Sequence, residues 1–150
     1  MYVLSDDETK ITAATMAKLV SHLADEKAAD IDFVNVFLLT YRRYASPFQL
    51  LAFLEKRFFL DPPPDASQEI LDAFSNCRKV VMVRVVNVLR RWMEEFPFDF
   101  TPDLLRAFRT FRATVRCFSS PLLSSPLFSF LFFCDRFSQT HSRHTKGNRR

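Results

Sequence analysis

Three cysteines, three histidines and two arginine pairs are the residues of this 150-residue chain whose types could support chemistry. Cys77, Cys117 and Cys134 are odd in number and too widely spaced for a zinc knuckle, so they read as reduced thiols of an intracellular protein. Cys134 with His141 and His144 can be drawn as a metal cluster, but the set lacks a fourth close ligand and lies in a biased tail; no metal site is expected. His22 has no carboxylate and nucleophile in register with it and reads as a surface residue. No serine or cysteine has a visible base, which leaves hydrolase chemistry without support. Arg42-Arg43 and Arg90-Arg91 would suit an anion, yet solvated faces and intrahelical pairs such as Arg91 with Glu95 account for them. The only glycine is Gly147, so glycine-rich phosphate loops, dinucleotide fingerprints and nucleophile elbows are absent. No catalytic residue and no cofactor are expected.

Composition points the same way. Hydrophobic residues make up 48% of the chain and charged residues 25%, ordinary values for a globular protein, whereas 18 phenylalanines are not ordinary. The net charge of +4 arises late: through Arg116 there are 16 basic and 16 acidic residues, and the excess lies beyond. A neutral body with a basic end gives no support to nucleic-acid binding. The N-terminus runs from Met1-Tyr2-Val3-Leu4 into acidic residues, without the basic start of a signal peptide.

The elements that would carry any function are helical. Ile11, Met16, Leu19, Val20 and Leu23 recur at helical steps, predicting a helix over 9–24. A polar link over 25–30 leads to a second helix, capped by Asp30 or Asp32, with Phe33, Val34, Phe37, Leu38 and Tyr41 as its buried stripe and an end near Tyr44. Ser46-Pro47 restarts the chain as a helix over 47–59, apolar on nearly all sides through Leu50, Leu51, Phe53, Leu54 and Phe58. Asp61-Pro62-Pro63-Pro64-Asp65 breaks it. Ser67 opens a helix of roughly 28 residues, ~42 Å long, that Pro97 stops. Thr101-Pro102 then starts a helix over 102–116 with Leu104, Leu105, Phe108 and Phe111 inward. Residues 117–134 carry no charge but hold two prolines and five serines, too broken for a membrane span; the basic remainder to 150 reads as disordered.

The long helix is the informative one. Val81, Val85, Val88 and Trp92 form one row and Met82, Val86, Leu89 and Met93 the next, a broad core-facing stripe. The Trp92 indole N–H must find an acceptor there. The other side carries Arg84, Asn87, Arg90, Arg91, Glu94 and Glu95, and helical phase places Val83 among them. An exposed valine is ordinary on a folded surface. The alternative is a small contact patch with Val83 as apolar anchor and Arg84 as its hydrogen-bonding neighbour.

These residues resemble a known family. Ile11-Thr12-Ala13-Ala14-Thr15 through Lys18-Leu19-Val20 is similar to the opening of the Ras exchanger motif (REM) domain, the N-terminal module of Son-of-sevenless-like Ras guanine nucleotide exchange factors. Asp32-Phe33-Val34 and Phe37-Leu38-Leu39-Thr40-Tyr41-Arg42 resemble its most recognisable string, and Val83-Arg84-Val85-Val86-Asn87-Val88 through Trp92 its second signature. Phe96-Pro97-Phe98-Asp99-Phe100 resembles the ending of that helix, and the resemblance covers about residues 10–116. It implies an all-α, compact domain with a helical hairpin that packs on a separate catalytic exchange domain, Phe33, Phe37, Leu38, Thr40, Tyr41, Val85, Val88, Trp92 and Phe100 being its motif and core positions. It also implies a distal contact with GTP-loaded Ras at Val83-Arg84, with Asn87 and Arg91 beside them. The family places a further tryptophan-bearing helix after the match at Thr114-Val115-Arg116, where this chain has Phe118-Ser119-Ser120-Pro121; a distal site here would be incomplete.

The expected organisation is therefore an N-terminal extension over 1–9, a REM-like helical domain over 10–116, and a disordered or poorly packed tail over 117–150. The expected function is that of a non-catalytic regulatory module in the cytoplasm, with an exchange domain and a Ras-family GTPase as partners. A truncated, inert product and a membrane-associated module held at the inner membrane face by the tail are the alternatives.

Overall fold

The computed structural model describes residues 2–4, 11–25 and 31–118; the metal cluster drawn from Cys134, His141 and His144, and the tail beyond 118, lie outside them. The chain forms two compact units, Met1–Val88 and Leu89–Arg150.

In the first unit, strand β1 (Tyr2–Leu4) pairs antiparallel with β2 (Ile11–Ala14), Tyr2 opposite Ala14 and Val3 opposite Ala13, with an irregularity before Leu4 meets Ile11. The helix expected from residue 9 thus starts later, as α1 (Met16–Leu23). Its apolar period is real, but β-branched Ile11 and Thr12 suit a strand, and a partner strand from the expected extension supplies the backbone bonds a helix would otherwise make. Thr15 is extended at φ −71° and ψ 152° and its carbonyl accepts from Leu19 N, so the helix begins behind it.

Helix α2 (Ile31–Thr40) passes into a 3-10 turn, Tyr41–Arg43, so the second helix tightens before Tyr44 instead of running on as α. Asp32 lies inside its first turn, and Asp30 lies outside the described residues. Phe37, Leu38 and Tyr41 are buried and Phe33 is half-buried. The stripe is a run of rings: His22 meets Phe33 edge-on at 4.9 Å, and Phe33–Phe37 and Phe37–Tyr41 follow at 6.5 and 6.2 Å. His22 is accordingly half-buried rather than a free surface residue.

Helix α3 (Pro47–Phe58) begins as its sequence demands. Ser46 Oγ accepts from Gln49 N at 3.3 Å, Gln49 Oε1 accepts from Ser46 N at 2.8 Å, and Pro47 occupies the first turn. Leu50, Leu51, Leu54 and Phe58 are buried, and α3 packs on α1. After the prolines Asp65 takes a left-handed turn at φ 58°, a role that falls to an aspartate in a segment without glycine.

Helix α4 (Gln68–Glu95) is 28 residues long, and its first hydrogen bond runs from Leu71 N to the Ser67 carbonyl. All eight residues of its two apolar rows are buried. In the second unit a 3-10 turn, Pro97–Asp99, follows α4, and helix α5 (Pro102–Phe118) is capped by Thr101, whose hydroxyl accepts from Leu104 N at 3.3 Å. Leu104, Leu105, Phe108, Phe111 and Val115 are buried.

Candidate functional site

Two constellations on α4 concern function, and each belongs to its own unit. In the first unit, Met82, Val85 and Val86 are buried, Val83 and Arg84 are half-buried, and Asn87 is exposed. Helical phase led to an exposed Val83; the valine is instead partly covered, because the packed stripe on α4 is broader than the two rows read from the sequence. Arg84 is the more informative neighbour. Its Nε is buried and has no hydrogen-bond partner among the described residues. A buried donor on a permanent cation is costly to leave unsatisfied, so the position calls for an acceptor. Arg57 and Arg78, in the same unit, have their Nε atoms in the same condition. Sequence reading missed both, since a helical wheel gives the face of an arginine and not the depth of its stem.

In the second unit, Arg91 does not join an open patch. Its Nε lies 2.9 Å from Glu95 Oε1 in a half-exposed ion pair, close but too poorly aligned for a hydrogen bond. Arg90 and Glu94 pair in the same way at 2.9 Å with good alignment. Both are the intrahelical pairs that i, i+4 spacing produces. Of the four candidate partner residues, therefore, Val83, Arg84 and Asn87 remain available, and Arg91 is engaged along its own helix.

The second constellation holds the end of α4. Trp92 is fully buried, and its indole N–H donates to Asp99 Oδ2 at 2.7 Å. Asp99 is 4% exposed and lies in the turn that Pro97 forces after the helix. Its own N–H donates to the Phe96 carbonyl, and its carbonyl accepts from Thr101 N. The Phe100 ring lies 4.8 Å from Trp92 and 6.0 Å from Phe108, which leads to Phe111. The acceptor required for Trp92 is thus a carboxylate seven residues on, reachable only because the chain reverses at Pro97. This arrangement is a structural corner with no reacting group beside it.

The remaining motif positions are core. Val85, Val88 and Phe100 are buried, and Thr40 is exposed with its hydroxyl donating to the Val36 carbonyl at 2.7 Å. Partial burial on α3 pushes the Glu55 carboxyl up from its ordinary value. Among the described residues no three His, Cys, Asp or Glu side chains converge on a metal-sized site, and no helix is long and apolar enough to cross a membrane.

Residues 10–111 match the family described as the RasGEF N-terminal motif. The chain is 32% identical to Ras guanine nucleotide exchange factor P of Dictyostelium discoideum over 77% of its length, covering 8% of that protein. It is 31% identical to Ras guanine nucleotide exchange factor A of the same organism over 71% of its length, covering 16% of the relative. It is 33% identical to the protein son of sevenless of Drosophila melanogaster over 62% of its length, covering 7%. The chain thus spans a small part of the relatives it matches.

Proposed function

The chain belongs to the RasGEF N-terminal motif family, and on that premise we propose that it is a non-catalytic regulatory and structural module of a Ras guanine nucleotide exchange factor. It packs on a catalytic exchange domain, in the same polypeptide or in trans, and biases that domain toward its open arrangement by differential packing. The matched region falls on helices with filled cores and no reaction centre among the described residues, so the chain by itself leaves nucleotide release by Ras unaccelerated. The observation that carries the proposal is Arg84: a half-buried guanidinium whose Nε lacks a partner, beside half-covered Val83 and exposed Asn87. Such a set fits an acceptor and an apolar side chain from another protein. A GTP-loaded Ras-family protein is the proposed contact there.

The test is binding of the full chain to a purified exchange domain from one of the relatives and to GTP-loaded Ras. Val83→Glu is expected to weaken Ras-GTP binding at least about tenfold, the effect of a charge placed in a desolvated contact, with helicity and exchange-domain binding unchanged. Nucleotide exchange by the chain alone, or binding indifferent to Val83→Glu, would overturn the corresponding part of the proposal.

A further inference from the structure

Helix α5 divides its charge unevenly. Leu104, Phe108, Phe111 and Val115 make its buried side, while Arg106 and Arg109 are exposed and Arg112 is half-exposed on the opposite flank. Asp103 is the only acid on the helix; it pairs with Arg106, and both side chains remain largely exposed. Arg109 makes no ion pair among the described residues. The neighbouring Thr110 and Thr114 hydroxyls donate to carbonyls one turn back and leave the guanidinium groups as the outward polar chemistry. From Thr101 onward the sequence holds nine basic residues against two acidic ones.

We propose that the arginine flank of α5 docks on an anionic lipid surface. Three features favour a membrane over an acidic protein. The basic groups described on α5 are all arginine, whose planar donors match phosphate oxygens. The chain continues directly into 117–134, an uncharged run with five phenylalanines and four leucines, and then into a second basic stretch. Basic groups flanking aromatic and aliphatic side chains are the composition that settles at the boundary between headgroups and acyl chains, where charge and apolar area act together. A soluble acidic partner uses the charge and has no need of the apolar run.

The experiment is cosedimentation of the full chain with phosphatidylcholine vesicles, with or without about one-third phosphatidylserine. Binding is expected only to the anionic vesicles and is expected to fall as salt is raised. Arg106→Glu with Arg109→Glu should weaken it at least about tenfold, while Arg109→Lys retains most of it. If the double reversal alters the circular dichroism spectrum, Arg106→Gln with Arg109→Gln serves instead. Equal binding to neutral vesicles, or anionic binding untouched by either double variant, overturns the proposal. Binding to soluble polyglutamate in place of the anionic vesicles overturns it too, in favour of an acidic protein.

Discussion

The two halves of α4 share one helical hydrogen-bond ladder and differ in almost everything else. Residues 68–80 contain no buried side chain: Leu71, Phe74 and Cys77 are only half covered, and Ile70 is 51% exposed. Residues 81–93 contain eight buried ones, among them Trp92 and Leu89 at 0%. The apolar period runs through both. Periodicity therefore fixes which side of a helix can be buried, whereas burial itself depends on what other parts of the chain supply. Residues 68–80 persist as helix through local hydrogen bonding and continuity with the anchored half, since an isolated helix of that length is marginal.

This contrast can be broken most directly by truncation. Trp92→Ala is expected to cost about 3–5 kcal/mol in urea unfolding, from the cavity and from the Asp99 carboxylate left without its indole donor. Ile70→Ala should stay within about 0.5 kcal/mol. Comparable losses at the two sites would mean that residues 68–80 carry core packing after all. A smaller effect sharpens the picture inside the buried half. Arg84→Met keeps the stem and removes the unsatisfied donor, so stability should be unchanged or rise by up to about 1 kcal/mol. The same variant should lose the proposed Ras-GTP contact. A clear loss of stability would assign Arg84 to the fold instead.

The smallest effect tests whether partial burial acts alike on α3. Glu55 is protonated more readily in the fold than in the unfolded chain, because burial raises its pKa above the ordinary 4.5. Its contribution to stability is therefore fully present below 4.5 and is lost as pH rises through the raised folded value. Glu55→Gln should flatten the thermal-melting profile across that acidic window and leave the protein slightly more stable at neutral pH. An unchanged profile would show the carboxylate to be solvated.

Much of the fold was legible before any coordinates. Ser46-Pro47 and Thr101-Pro102 announce their helices because a side-chain acceptor and a preset φ are local properties, and the rows from Val81 to Met93 follow from helical geometry. The N-terminal pairing was not legible. Whether Ile11 and Thr12 join a helix or a strand depends on Tyr2–Leu4 arriving beside them, which no local pattern around residue 11 contains. The candidate site was legible in part. Phase pointed to Val83 and Arg84 but could not show that both sit half covered, nor that Arg91 is taken by Glu95. The partner of Trp92 was beyond reach for the same reason, since a turn three residues long sets it.

That corner has a practical consequence. The chain holds a single tryptophan, so all indole fluorescence originates where α4 ends. With the ring sealed from water and its N–H held by a carboxylate, emission should be shifted to the blue and poorly quenched by iodide, and both properties should vanish together when this corner opens. Light excited at the red edge of protein absorbance thus becomes a built-in gauge of the second unit, read without attaching any label.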